Sequence, residues 1–108
     1  MRFLGIDIGT TRMKCGVYNE AGQPEYFDSV DYGEMRRGKE SYIDIDQILS
    51  SALALLKKAY GACPFDSIAV SSLGESFVLL DEEDQPVFYP MLYIDPRGKD
   101  EADRKSVV

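Results

Sequence analysis

A short run of chemically active residues, Asp7-Ile8-Gly9-Thr10-Thr11, separates two apolar stretches near the start of the chain. Gly9 has no Cβ, so a ligand can approach its backbone closely. Successive amides and the two threonine hydroxyls can donate to phosphate oxygens, while Asp7 offers a hard oxygen to Mg²⁺. Lys14, just beyond the run, can neutralise phosphate charge. The run therefore predicts a phosphate-binding turn that works with a metal ion. The simpler alternative is that Asp7 caps a turn and that the two threonines are strand-forming residues.

The size and charge of the chain narrow the classes of protein to which it can belong. Its 108 residues are enough for one small domain with one core. A net charge of −7 argues against a nucleic-acid surface, which needs clustered Lys and Arg. No stretch approaches the ~20 apolar residues of a membrane span, and no secretory signal precedes the first apolar run. We therefore expect a soluble cytoplasmic domain that binds neither nucleic acid nor membrane.

The cysteines and the missing histidine limit the chemistry further. Cys15 and Cys63 lie far apart, without the close spacing of a zinc site. In a cytoplasmic protein they are expected to be two reduced thiols that pack in the core. The chain has no His, which excludes a histidine general base or metal ligand within it.

Hydrophobic patterning predicts an α/β domain that starts with three strands. Residues 3–8 are apolar at nearly every position, which is typical of a strand covered on both faces. Met13, Cys15 and Val17 alternate with polar or small residues, which indicates a second strand. Residues 25–32 follow a turn and read as a third strand, and residues 33–39 read as a loop.

A helix is the most strongly patterned element. Asp44 is placed to cap it, with Gln47 where a capping box needs Glu or Gln. Lys57 and Lys58 are expected in its last turn, and Gly61 at its end. The predicted buried stripe comprises Ile45, Ile48, Leu49, Ala52, Leu53, Leu56, Ala59 and Tyr60.

A strand and a hairpin are predicted after the helix. Residues 67–71 read as the strand, and residues 77–80 and 87–89 as the two arms of the hairpin. Its turn, "LDEEDQP", resembles the earlier turn "YNEAGQP", which we interpret as convergent turn chemistry. The β-β-β-α-β order predicts a mixed sheet, the first part of a ribonuclease-H-like nucleotide-binding fold. A helix start after Asp95 has no stop signal, which suggests that the fold is truncated.

Three segments of the chain resemble the FGGY family of carbohydrate kinases. "GIDIGTTRMKCGVYNEAGQP" is similar to the family's phosphate loop, and "YIDIDQILSSALALLKKA" to its first helix. "SIAVSSLGESFVLLDEEDQPVFYPMLYIDPRG" is similar to its strand, substrate loop, hairpin and Trp-x-Asp-x-Arg segment, although Tyr93 stands where members have tryptophan. The resemblance implies that residues 1–108 form part of the N-terminal domain of a sugar kinase.

The resemblance also implies roles for individual residues. Asp7 would help to hold Mg²⁺. Four residues would face the phosphates of ATP: Gly9, Thr10, Thr11 and Lys14. Another four would contact the sugar substrate: Gly74, Glu75, Asp95 and Arg97. Glu75 matches the glutamate of the glycerol-kinase pattern, and a carboxylate can accept hydrogen bonds from sugar hydroxyls.

The implied activity is transfer of the γ-phosphoryl group of Mg-ATP to a hydroxyl of xylulose, glycerol, gluconate or a similar compound. The resemblance places the catalytic base and the adenosine pocket beyond residue 108, so no catalytic residue is assigned and the chain alone is expected to be inactive. The alternative is a non-catalytic actin-like or Hsp70-like module that binds a nucleotide or a partner. Apolar surface left uncovered by truncation is expected to cause self-association.

Overall fold

A computed structural model of the chain describes residues 1–32, 35–37, 40–74 and 76–88. Glu75, Asp95 and Arg97, and the helix start expected after Asp95, lie outside the described residues. The elements in chain order are β1 (Phe3–Ile8), β2 (Arg12–Tyr18), β3 (Pro24–Asp31), β4 (Met35–Arg37), β5 (Glu40–Tyr42), α1 (Ile45–Ala62) and β6 (Ser67–Ser72). The described residues form two compact units, one of residues 1–32 and 45–74 and one of residues 35–37, 40–44 and 76–88.

The first unit is built on a four-stranded mixed sheet with the strand order β3-β2-β1-β6. β1 and β2 pair antiparallel, as do β2 and β3, because short turns connect them. β6 pairs parallel to β1 after the chain has crossed over through α1. The predicted mixed α/β class and the order of three strands, a helix and a strand are confirmed.

Alternation along β1 and β2 divides the sheet into an apolar and a polar face. The register pairs Leu4 with Val17, Ile6 with Cys15 and Ile8 with Met13. These six side chains point to one face, where α1 packs against β2 and β3. The buried members of the resulting core are Leu4, Ile6, Met13, Cys15, Val17, Leu55, Ala59 and Cys63.

The helix meets the sheet through a narrower stripe than its sequence predicts. Leu55 and Ala59 are buried, and Ile48 and Ala52 pack against the core at the same helical spacing. The prediction was wrong for Leu49, Leu53 and Tyr60, which are all at least half exposed, and it omitted Leu55. The apolar arc of α1 spans two adjacent stripes, and a straight helix on a sheet buries mainly the one that faces it.

The end of α1 also differs from the prediction. The helix runs through Gly61 to Ala62, so its last turn contains no basic residue. Lys58 instead reaches the sheet, where its Nζ lies 3.1 Å from Asp28 Oδ2 on β3. The hydrogen bond from Lys58 lowers the pKa of Asp28 and keeps this carboxylate charged.

Among the described residues, no helix combines the length and apolar character needed to cross a membrane.

Both cysteines have the packing role that the sequence predicts. Cys15 and Cys63 are free thiols buried in the core. Burial raises the pKa of Cys15, and the nearby negative charge of Asp28 adds to the effect. The Cys15 thiol therefore stays protonated and behaves as a small apolar side chain.

The second unit contains a hairpin where the sequence predicts a loop. β4 and β5 pair antiparallel, with Met35 opposite Tyr42, so the loop prediction was wrong for residues 35–37. In the hairpin predicted further on, the described residues form a turn closed by a bridge between Leu80 and Pro86, and the amide of Val87 donates to the carbonyl oxygen of Leu79 at 3.0 Å. Tyr89 lies outside the described residues. The rings of Phe77 and Phe88 meet edge to face beside it, with centroids 6.4 Å apart.

The two turns with similar sequences have the same hydrogen-bonding pattern. In the first, the Asn19 side chain accepts from the amides of Ala21 and Gln23, each at 3.0 Å. In the second, the Asp81 carboxylate accepts from the amides of Glu83 and Gln85, each at 2.9 Å. The fourth residue of each turn, Gly22 in the first and Asp84 in the second, has a positive φ (78° and 61°). Both turns thus begin with an Asn or Asp side chain that accepts two amides, and both end in Gln-Pro. These shared residues specify the same backbone conformation.

Gly22 and Gly61 form a matched pair for testing this turn. Nothing would contact an added Cβ at either position, so only the backbone conformation distinguishes them. We expect Gly22→Ala to lower the free energy of unfolding by about 1 kcal/mol, because its φ is left-handed. Gly61→Ala should raise it by up to about 1 kcal/mol, because Gly61 is helical. Urea unfolding of both variants tests this, and equal shifts of the same sign would contradict it.

Candidate functional site

The predicted phosphate-binding run forms the tip of the β1–β2 hairpin. The amide of Gly9 donates to the carbonyl oxygen of Arg12 at 2.9 Å, which leaves Thr10 and Thr11 at the tip. An added Cβ on Gly9 would lie 2.7 Å from that same oxygen. Glycine is therefore required here by close backbone packing. We call residues 9–12 the tip loop.

Asp7 and Lys14 lie opposite each other on the polar face of the sheet, just below the tip loop. The same row continues through Ser29 on β3 and Ser71 on β6. Neither Asp7 nor Lys14 forms an ion pair with another residue in the part of the chain that the structure describes. Both charges therefore remain available to a ligand.

Arg12 and Asp31 add a charged pair that the sequence pattern does not single out. Arg12 Nε donates to Asp31 Oδ1 at 2.5 Å, and a second guanidinium nitrogen lies 3.4 Å from Oδ2. The hydrogen bond and the opposite charge raise the pKa of Arg12 and lower that of Asp31. Arg and Asp are common on protein surfaces, and two residues that pair across strands leave no local signal in the sequence. The pair is therefore revealed only by the β2–β3 register.

These residues line one open cleft. Its volume is about 530 Å³, within the range of small-molecule sites. The lining residues are Asp7, Gly9, Thr10, Thr11, Arg12, Lys14 and Asp31. The cleft thus brings together all five residues that the sequence assigns to phosphate and metal.

The donor groups of the cleft suit a metal ion that binds together with a phosphate ligand. Among the described residues, no group of three or more His, Cys, Asp or Glu side chains is placed to hold a metal ion. Asp7 alone supplies a carboxylate on the polar row, with Asp31 engaged by Arg12. Mg²⁺ is commonly bound by one or two carboxylates together with substrate phosphates and water. The donor set therefore fits magnesium bound as a phosphate complex.

Among the predicted substrate residues, Gly74 is the one that the structure describes. The amide of Leu73 donates to the carbonyl oxygen of Ile8 at 2.9 Å, which extends the β1–β6 pairing by one residue. Because β1 and β6 are parallel, Gly74 leaves the sheet at the same edge as the tip loop. An added Cβ on Gly74 would contact nothing within 4 Å.

Comparison with protein families identifies the chain. Residues 2–106 match the model of the N-terminal domain of the FGGY family of carbohydrate kinases. The chain therefore belongs to this family, whose members are transferases, and the part that it represents is the N-terminal domain. A search of curated protein sequences found no match.

Solved structures of carbohydrate kinases share the fold. Gluconate kinase from Lactobacillus acidophilus has a TM-score of 0.90 at 18% identity, over 97% of this chain and 22% of its own. Xylulose kinase from Rhodospirillum rubrum has a TM-score of 0.82 at 23% identity, over 100% and 24%. Plasmodium falciparum glycerol kinase, solved with ADP, has a TM-score of 0.83 at 15% identity, over 98% and 23%. The chain thus spans less than a quarter of the length of these kinases.

Gly9 and Gly16 provide a matched test of the tip loop. An added Cβ on Gly16 would also meet an atom closely, at 2.9 Å, but that atom is the hydroxyl of Tyr18. Two carbons of the Tyr18 ring lie 3.0 and 3.1 Å from the same position. Tyr18 is 41% exposed and its side chain can move aside, whereas the Arg12 carbonyl is backbone. We expect Gly9→Ala to lower the free energy of unfolding by about 1–3 kcal/mol. Gly16→Ala should change it by less than about 0.5 kcal/mol.

Urea unfolding of the two variants gives both values. Equal stability of Gly9→Ala and the unmodified protein would show that the tip loop tolerates a side chain and that its close backbone approach is not a constraint.

Proposed function

We propose that the complete protein transfers the γ-phosphoryl group of ATP, in the presence of Mg²⁺, to a hydroxyl of a sugar or polyol. The observation that supports this most directly is the cleft in which the Asp7–Lys14 row lies below the tip loop. Membership of a family of carbohydrate kinases supports the acceptor class. The solved relatives are kinases of gluconate, xylulose and glycerol, and these compounds define the range of acceptors that we propose.

The tip loop and the polar row are proposed to bind different parts of the Mg-ATP complex. Gly9 lets the phosphates approach the backbone closely, the amide of Thr10 and the hydroxyls of Thr10 and Thr11 donate to phosphate oxygens, and Lys14 balances their charge. Asp7 holds the magnesium ion. When bound, the ion would supply positive charge that stabilises the transferring phosphoryl group. Phosphoryl transfer depends mainly on such positioning and charge stabilisation, which suits a loop held by backbone contacts.

The substrate side is proposed for the edge where β6 ends. Gly74 leaves this edge beside the tip loop, and its open surroundings allow close approach of a ligand. Glu75, Asp95 and Arg97 are proposed to complete the contacts, with the carboxylates accepting hydrogen bonds from hydroxyl groups of the acceptor. The general base and the adenosine pocket are assigned to the parts of the complete kinase outside residues 1–108.

A substrate screen tests the activity. The complete natural protein would be assayed with Mg-ATP and pentuloses, hexuloses, glycerol, erythritol or gluconate, with ADP release as the readout. We expect turnover on one acceptor and a loss of about 100-fold or more in Asp7→Ala, since metal charge contributes several kcal/mol to such reactions. Asp46→Ala is the matched control, because Asp46 lies in the first turn of α1, on the other side of the sheet.

The outcomes of the screen separate the alternatives. Turnover lost in Asp7→Ala and kept in Asp46→Ala would support the proposal and name the acceptor. No turnover with any acceptor, from a folded protein that still binds ATP, would reject the kinase and favour a non-catalytic nucleotide-binding module.

We also propose that the complete protein is cytoplasmic and that residues 1–108 self-associate when expressed alone. The two free, buried thiols support a reducing compartment. Every residue of β6 is exposed, including Ile68 at 50% and Val70 at 65%. An exposed apolar strand at the lateral edge of a sheet favours pairing with another copy of the chain.

Light scattering measures this self-association directly. We expect the chain alone to have at least the mass of a dimer, and Val70→Lys to shift it toward the monomer by placing a charge on the strand. Val87→Lys, which changes a valine of similar exposure in the second unit (57%), is the control and should leave the mass unchanged. A monodisperse monomer of the unmodified chain would contradict the expectation.

A further inference from the structure

Tyr32, the residue that follows β3, contacts the tip loop. Its amide donates to the carbonyl oxygen of Thr11 at 2.9 Å. Its hydroxyl donates to the carbonyl oxygen of Gly9 and lies 3.4 Å from that of Arg12. One residue just beyond β3 therefore contacts three of the four carbonyl groups of the tip loop.

The conformation of the hairpin explains why the tip loop needs such support. Two-residue hairpin turns fit the twist of their strands best when φ is positive at the central residues. Neither Thr10 nor Thr11 has a positive φ, and threonine adopts one only at a cost. The tip loop therefore does not adopt the turn conformation that fits a two-residue hairpin best. The hydrogen bonds from Tyr32 stabilise the conformation that it has instead.

Holding the carbonyl groups also orients the amides of the loop. In a trans peptide the C=O and the following N–H point in opposite directions. The hydroxyl that holds the Gly9 carbonyl therefore directs the Thr10 N–H away from Tyr32. In the same way, the bond to the Thr11 carbonyl directs the Arg12 N–H away from Tyr32. These are amides of the residues that line the cleft.

We propose that Tyr32 is a positioning residue for nucleotide phosphates, and that its hydroxyl fixes the peptide orientation of the tip loop. The proposal rests on the proposed function, since it assigns the loop to phosphate. Tyr32 touches neither nucleotide nor acceptor; it acts through the loop backbone.

The electrostatic surroundings favour the hydroxyl as a donor. Burial raises the pKa of Tyr32, and the negative charge of Asp7 raises it further. The hydroxyl is therefore protonated throughout the physiological range and can donate to the Gly9 carbonyl.

Tyr26, which lies on β3, provides a matched control. It is also partly buried, and its hydroxyl donates to Asp28 Oδ2 at 3.1 Å. That contact lies on the face that packs against α1 and involves no part of the tip loop. Tyr26→Phe and Tyr32→Phe thus remove the same atom from two partly buried, hydrogen-bonded tyrosines, and only Tyr32→Phe reaches the loop.

The first measurement needs no ligand. Amide hydrogen exchange, followed by mass spectrometry of peptides that cover residues 8–13, is compared in the complete protein and its two variants. We expect exchange in this segment to be roughly five- to tenfold faster in Tyr32→Phe, the effect of one lost hydrogen bond. Tyr26→Phe should leave it unchanged. Circular dichroism and melting of both variants confirm that they remain folded.

The second measurement separates nucleotide from acceptor. In Tyr32→Phe the KM for ATP and the dissociation constant for Mg-ADP should rise roughly five- to tenfold, with the KM for the acceptor unchanged. A general loss of structure would change both KM values together. Unchanged exchange, or faster exchange with unchanged nucleotide affinity, would overturn the positioning role.

Failure of the proposed function gives a different result. If the unmodified protein binds no nucleotide and transfers no phosphoryl group, the kinase assignment fails, and the role of Tyr32 in nucleotide binding fails with it. The exchange measurement would then still show whether Tyr32 orders the loop. A wrong positioning role is instead recognised by an active unmodified protein whose Tyr32→Phe variant binds nucleotide normally.

Discussion

The register of β1 against β2 is the constraint on which both the core and the cleft depend. It sets Leu4 against Val17 and Ile6 against Cys15 on the face covered by α1, and Asp7 against Lys14 on the other face. Side chains alternate along a strand, so a slip of one residue would expose the apolar pairs and bury the charged ones. The Gly9 to Arg12 hydrogen bond at the hairpin tip fixes this register. The same short turn therefore specifies how the domain packs and where its charges lie.

Much of this arrangement could be predicted from local sequence because period-two alternation and turn residues are local signals. Met13, Cys15 and Val17 indicate a strand with one buried face, which is confirmed. The close approach of a ligand to Gly9 stays a prediction; the close contact observed at Gly9 is with the carbonyl oxygen of Arg12. The rotation of α1 was not predictable in the same way, since its apolar residues fill two adjacent stripes. Only packing against β2 and β3 selects the stripe that contains Leu55.

The contacts at the cleft that sequence reasoning missed join parts of the chain that are distant in sequence. Arg12 pairs with Asp31 across β2 and β3, and Tyr32 reaches back to the tip loop. Each of these residue types is ordinary at a strand end, so its role depends on which strands are neighbours. Short apolar runs after β6 gave a different error: residues 77–79 have strand-like composition, yet they belong to none of the strands, and the turn that follows them is closed by a bridge between Leu80 and Pro86. A two-armed hairpin without a wider sheet is only marginally stable, so composition alone overstates it.

The parallel pairing of β6 with β1 has a consequence for the order in which the domain forms. β1, β2 and β3 are joined by short turns, so their contacts close small loops and can form early, while the rest of the chain is still being synthesised. β6 must instead wait for α1 to cross the sheet, and its entry is marked by contacts between Arg2 and Asp66, 64 positions apart. The tip loop, which lies within the meander and is bound by Tyr32, is thus complete before the chain reaches Gly74. On the ribosome, the tip loop would be assembled first, and the end of β6 that carries Gly74 would be added to it later.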